Sequence, residues 1–495
     1  MEALPRALQE ANAADSHATN PLTDPKNPKL GGNPFEEVNK AALWLLIIVP
    51  AIPLVVGLVE LGMCKRSSRL NRCYYDKGHP PMWALVLFVL SYGLLIPGLA
   101  GPLFSFNILA NVPSIMKIGL GPDGGLDKAD PTTESMIGLM SLLHKTGSNL
   151  GVLLVLTYAV LIPVAKVILL VAGELLRGRS VRKSLRCVQV VQNISKWACP
   201  DMFAYVLLMY LIRGLNHPVL LRAAGQLDLG FTCFSLFCIG STVAAMGIKA
   251  QDKEKRCWKW LAAAVGRIGV LALVVPLAVG FGVLMGYGMQ NPIMALRVNL
   301  DALSSENGGP IDSDMMEIVN MLDIPSLCKA DVSVIQSMQK LLEWMRYGEI
   351  NSYIGFVLLA VFAVSFTILD MAVLLVSAVC LFFGAGRKYS PLRLNWILKK
   401  LSMLDVTIMG VVVVTLCMAM YRDKGVRVTM GGGLLQLTGA EVIHYFCYYL
   451  VKGGMQYFEP ESNFAEKSMS DLSSESSNDS GDNSESESPS SDDAA

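Results

Sequence analysis

Charge is scarce in this sequence. Asp, Glu, Lys and Arg make up 17% of its 495 residues against 53% hydrophobic ones, a balance that excludes a soluble globule of several domains. Its eleven cysteines include no Cys-x-x-Cys pair, so a zinc knuckle has no basis and the cysteines read as small apolar fillers. There are five histidines, and His144, His217 and His444 stand isolated, without metal-ligand spacing. A P-loop, a Gly-x-Gly-x-x-Gly after a strand and a Ser/His/Asp arrangement are all missing. The expectation is therefore no enzyme, no catalytic residue, no metal, no cofactor and no nucleic-acid partner.

What is present is a series of long apolar runs. Crossing ~30 Å of hydrocarbon takes about twenty apolar residues. Such runs can be drawn at 41–63, 83–106, 149–173, 199–213, 227–248, 261–287, 353–383, 402–421 and 432–451. This predicts an all-α membrane protein of about nine transmembrane helices. Alternate loops (64–80, 174–196, 249–260, 384–400) hold 21 basic and 4 acidic residues; the others (107–148, 214–226, 288–351, 422–431) hold 11 and 14. By the positive-inside tendency the first set is cytosolic, with the N-terminus outside or lumenal and the C-terminus in the cytosol. The membrane itself is not indicated. Residues 1–40 form a polar non-cytosolic segment without an apolar signal-peptide core, so the helix at 41–63 doubles as insertion signal.

A short signature occurs twice, 204 residues apart. The first copy runs Ser195-Lys196-Trp197-Ala198-Cys199-Pro200-Asp201-Met202-Phe203, the second Lys400-Leu401-Ser402-Met403-Leu404-Asp405-Val406-Thr407. The same offset relates Gly151 in Gly-Val-Leu-Leu-Val-Leu to Gly355 in Gly-Phe-Val-Leu-Leu-Ala. A duplication follows: a four-helix module at 83–248 and another at 261–451, with the helix at 41–63 outside it. Because four is even, the two modules are expected to be parallel. Residues 331–347 carry apolar side chains at three- and four-residue spacings, predicting an amphipathic helix. The tail at 459–495, with 11 acidic residues and one lysine among many serines, has the composition of a disordered cytosolic segment. Its serines before acidic residues suit a kinase as partner.

Charged groups inside apolar runs mark the candidate sites. Lys166 follows Pro163 by three residues in the run 149–173; through the repeat, Pro163 corresponds to Thr367 and Lys166 to Asp370. Two readings of Lys166 stand: a hydrated point facing the bundle interior, or a lysine snorkelling to the cytosolic interface. The reversal of charge predicts a Lys166–Asp370 pair across the modules. Asp201 and Asp405 fall in the first turn of their helices and read as caps, with Trp197 an interfacial anchor and Ser402 part of the second signature.

At these residues the chain resembles the paraquat-inducible protein A family, the PqiA-like or LetA-like membrane proteins. That family carries a Trp-Ser-Met-Leu-Asp-Val-Phe-like signature after a helix with a Pro-x-x-Lys element, in two tandem four-helix modules. Here Pro163, Lys166, Trp197, Asp201 and Phe203 match in the first module, Ser402-Met403-Leu404-Asp405-Val406 in the second, and Ile96-Pro97-Gly98 to Pro102-Leu103-Phe104 stands at the first-helix proline motif. The family's zinc ribbons are missing. The resemblance covers 83–451 and implies phospholipid transport or lipid homeostasis, with membrane lipids and tunnel-forming mammalian-cell-entry-domain proteins as partners. The transport candidates are the residues where the preceding helices of the two modules diverge, Pro163 and Lys166 in one and Thr367 and Asp370 in the other. Other classes remain open from the residues: an ion or small-solute transporter using the intramembrane charges, and a non-transporting scaffold.

Overall fold

The computed structural model describes residues 33–66, 80–112, 116–119, 132–177, 180–214, 221–248, 259–298, 329–346, 348–384, 391–418 and 426–458. The acidic tail, nearly all of the polar N-terminal segment and much of the loops at 64–80 and 249–260 lie outside them.

The long apolar runs fold here as helices. The chain opens with α1 (Asn33–Arg66) and α2 (Met82–Ala100), leaves the helix at Gly101, and enters strands β1 (Pro102–Val112), β2 (Met116–Gly119) and β3 (Thr132–Ser135). Next come α3 (Met136–Lys145) and α4, which runs Asn149–Leu156, widens into a π-helix at Thr157–Leu161 and returns to α-helix over Ile162–Arg177. Then follow α5 (Val181–Ile194), a 3-10 turn at Ser195–Ala198, α6 (Pro200–Gly214), β4 (Leu221–Leu227) and α7 (Leu229–Gly247). The second part follows a similar order with one strand fewer among the described residues: α8 (Lys259–Gln290), β5 (Met294–Val298), β6 (Lys329–Val332) and α9 (Val334–Arg346). Its α10 runs Ile350–Val357, a π-helix at Leu358–Ser365, and Phe366–Phe382. The chain closes with α11 (Pro391–Leu401), α12 (Leu404–Met418), β7 (Val426–Met430) and α13 (Gly432–Phe458).

Seven helical stretches among the described residues are long and apolar enough to cross a membrane: 38–63, 82–100, 149–176, 229–247, 260–290, 350–382 and 394–418. The chain is thus a mostly helical, multi-pass membrane protein. The expected run at 199–213 forms α6, only 15 residues or about 22 Å, and that at 432–451 lies in α13; neither belongs to the seven. The run at 83–106 is corrected, because the helix ends at Ala100, with Gly101 as its C-cap, and the residues beyond pair as a strand. In the run at 402–421 the helix starts at Leu404, after two residues outside helix. The amphipathic helix expected at 331–347 is α9, with Val334, Ser337 and Leu341 buried.

The strands depart from a purely helical reading. β1 pairs antiparallel with β2 through Leu109–Val112, with β3 through Pro102–Phe106 and with β4 through Phe104–Ala110. The second sheet has the order β6-β5-β7. Both sheets sit at one end of the bundle, where α2, α6, α8 and α12 finish and α7 and α13 begin.

At the centre α6 packs on α12, each led by its signature. Pro200 opens α6, where a missing amide is tolerated. The contact is close because Gly410 has no side chain: a Cβ there would stand 2.8 Å from the Pro200 carbonyl and 3.0 Å from Phe203 Cβ. Helix α1 is fastened at both ends. Asn39 donates to the Gly348 carbonyl at 3.1 Å and accepts from Ile350 at 3.3 Å. Glu60 is buried and caps α2 by accepting from the Met82 and Trp83 amides at 3.3 and 3.4 Å.

Candidate functional site

Two polar clusters form where the helices that carry a π-turn meet the last helix of each half. A π-turn removes the regular i to i−4 ladder and frees backbone groups. In α4 it precedes Pro163, whose ring and missing amide disfavour an α-helical continuation. The Pro163 carbonyl accepts from the Tyr92 hydroxyl at 2.9 Å. In α10 the freed Phe362 carbonyl accepts from the Met403 amide at 2.9 Å. Beside it Thr367, which replaces the proline, shares a 2.7 Å hydrogen bond with Ser402. The second signature therefore docks into its π-turn through Ser402 and Met403.

Lys166 is fully buried. Its ammonium donates to Ser241 Oγ at 2.8 Å and stands 5.8 Å from the Phe237 ring. Ser241 and Phe237 both belong to α7. Lys166 makes no ion pair among the described residues, although an ammonium carries three donors. It does not snorkel, and it does not pair with Asp370. Their halves keep them apart: Lys166 is held by α7, Asp370 by α13.

Asp370 is fully buried, with one carboxylate oxygen on His444 Nε2 at 2.9 Å and the other without a partner. The second imidazole nitrogen, Nδ1, lies 3.2 Å from both Glu441 Oε2 and Lys399 Nζ. Lys399 also reaches Glu441 Oε1 at 3.4 Å and sits 3.4 Å over the Tyr445 ring. The Tyr445 hydroxyl donates to Asp405 at 2.7 Å, and Lys196 binds the same carboxylate oxygen at 2.5 Å. A continuous chain of titratable groups thus runs from Asp370 in α10 to Lys196 ahead of α6. With His444 neutral it holds three carboxylates and two ammonium groups. One proton on Nδ1 balances the charge and turns that nitrogen from an acceptor for Lys399 into a donor to Glu441.

The signature aspartates differ. Asp405 Oδ1 accepts from the Val406 amide at 2.9 Å, a local cap, while its other oxygen serves Lys196 and Tyr445. Asp201 is fully buried and neither of its oxygens has a hydrogen-bond partner, so its expected cap is not made. Trp197 is half-buried in the 3-10 turn and stacks on Tyr158 of the α4 π-turn, centroids 6.5 Å apart.

At the sheet end another pair joins the halves. Arg213 in α6 binds both Glu349 oxygens at 2.9 Å through Nη2, donates to the Gly225 carbonyl at 2.7 Å, and stacks 4.0 Å over Trp344.

The sequence reading reached Lys166, Asp370 and the aspartates but passed over His444, Glu441, Lys399, Tyr445, Lys196 and the Arg213–Glu349 pair. One signal was available: Glu441 and His444 are three residues apart, hence on one face of a long helix. No group of three or more His, Cys, Asp or Glu suited to a metal occurs among the described residues.

Fold and site together define a multi-pass helical membrane protein with ionisable side chains buried between its helices. Compared with known protein families, curated proteins and solved structures, the chain matches none.

Proposed function

We propose that this protein moves phospholipid between the bilayer and a partner. The observation that carries the reading is Lys166: a fully buried ammonium whose one hydrogen-bond partner is the neutral Ser241 hydroxyl. A cation in that state calls for an anion, and a lipid phosphate brings one while its tails stay in hydrocarbon. The resemblance to paraquat-inducible protein A proteins points the same way, and would make a tunnel-forming protein of mammalian-cell-entry-domain type the receiving partner.

In this reading nine helices cross the membrane, with α6 and α13 added to the seven apolar stretches. Two parallel modules, 83–248 and 261–451, then lie beside α1, a division supported by the repeated element order. The basic loops face the cytosol, the N-terminus lies outside or in a lumen, and the acidic tail is a cytosolic kinase substrate. The test is transfer of a fluorescent anionic phospholipid out of vesicles holding the purified protein. Lys166→Met is expected to slow transfer tenfold or more (about 1.4 kcal/mol of barrier per tenfold). An unchanged rate would remove Lys166 from the transport path.

A second reading, transport of an ion or small solute, draws on the chain from Asp370 through His444, Glu441, Lys399 and Tyr445 to Asp405, which can pass charge without lipid. Solute-driven current in vesicles lacking any lipid transfer would favour it.

A further inference from the structure

Asp201 and Asp405 hold equivalent places at the start of α6 and α12, 204 residues apart, and Lys196 and Lys400 share that offset. Of the two crosswise pairs this symmetry allows, one is formed. Lys196, ahead of α6, reaches Asp405 of the other half. Lys400, ahead of α12, instead lies on the Gln192 carbonyl at 3.2 Å and Asn193 Oδ1 at 2.6 Å. Asp201 accepts at neither oxygen.

Among the described residues, the titratable groups close enough to feel the charge of Asp201 are Tyr158 from the π-turn of α4, Tyr205 on its own helix, Cys238 from α7 and Cys417 from α12. None is a cation, and the Tyr205 hydroxyl is engaged with Met136 Sδ at 3.0 Å. The ammonium of Lys166 is held at Ser241. A carboxylate withdrawn from water with neither cation nor donor is strongly disfavoured. The dipole of α6 favours negative charge at its first turn, yet no amide hydrogen-bonds to the carboxylate. One proton on Asp201 removes the conflict; Asp405 needs none, because Lys196 already balances it.

We propose that Asp201 is an intramembrane proton-binding site, holding an exchangeable proton while Lys196 neutralises Asp405 and releasing it when Lys400 takes up the crosswise position. In the release step the carboxyl O–H bond breaks, the proton passes to water, and the arriving ammonium balances the carboxylate left behind. No redox partner is required. The inference adds a proton-linked activity and stands whichever cargo the protein carries, so the lipid-transfer test and the one below can fail separately.

Infrared spectroscopy of the full-length protein in lipid nanodiscs at neutral pH tests it. The carbonyl stretch of a protonated carboxyl group is expected in the wild type, lost in Asp201→Asn, and shifted when the wild type is moved into heavy water. A stretch that survives in Asp201→Asn, or its absence from the wild type, overturns the proposal; one that does not shift in heavy water overturns exchange. Should Asp201→Asn fail to fold, peptide mapping of wild-type protein treated with dicyclohexylcarbodiimide, an apolar reagent for protonated carboxyls, decides the matter. Modification of Asp201 and sparing of Asp405 is expected, and the reverse order is contradictory.

Discussion

Lys166 and Asp405 are both charged and buried, but their neighbours give opposite expectations for removal. Lys166 has one neutral partner, so Lys166→Met keeps the volume and deletes an uncompensated charge. Its thermal stability in detergent is expected to rise, by about 1–3 kcal/mol, while transfer falls. Asp405→Asn strands Lys196 in a buried position, and a loss of about 3 kcal/mol is expected. Equal stability of that variant and the wild type would mean that Lys196 finds another anion. Isolated charges in apolar runs such as Lys166 and Asp370 can be read from sequence, because each contradicts its immediate neighbours. Lys399 and Glu441 could not be singled out so easily. Lys399 sits in an amphipathic segment where lysine is ordinary, and Glu441 belongs to a helix with mixed composition. Their meaning comes from tertiary contact with His444, a residue that looks isolated along the chain and stands between three charged side chains in space.

Among the elements, α6 and α12 set the spacing of the halves. Gly410 faces the Pro200 carbonyl and the Phe203 side chain, so Gly410→Leu must push the two signature helices apart. A loss of about 1–3 kcal/mol is expected from overpacking, together with weakening of the Lys196–Asp405 pair, which spans the same contact. Thermal melting of Gly410→Leu and Gly410→Ala, with the larger side chain costing more, checks this. The long helices were legible because hydrocarbon thickness fixes how many apolar residues a span needs. The strands were not: Leu103-Phe104-Ser105-Phe106 continues an apolar run, and only Gly101-Pro102 marks the break. Nor do the π-turns announce themselves. Pro163 hints at the first, while the second contains no proline and is fixed by Met403 and Ser402 arriving from another element.

At the scale of the whole molecule, the two halves are joined by charged pairs at both ends. Arg213–Glu349 lies near the sheets, and Lys196–Asp405 at the opposite end beside the short helices. The repeat offset read along the chain did not give the partners that meet in space. It set Lys166 against Asp370 across the halves, whereas each is held by the last helix of its own half, and the cations that do cross include Lys196, Arg213 and Lys400. Periodicity reports which positions correspond; it does not report which of them touch. If lipid is the cargo, its phosphate completes the cluster in which Lys166 stands as a lone cation among the described residues. Native mass spectrometry of the purified protein in mild detergent reads this directly. The wild type is expected to carry bound phospholipid and Lys166→Ala several-fold less; lipid retained equally by both, or carried by neither, would contradict the account.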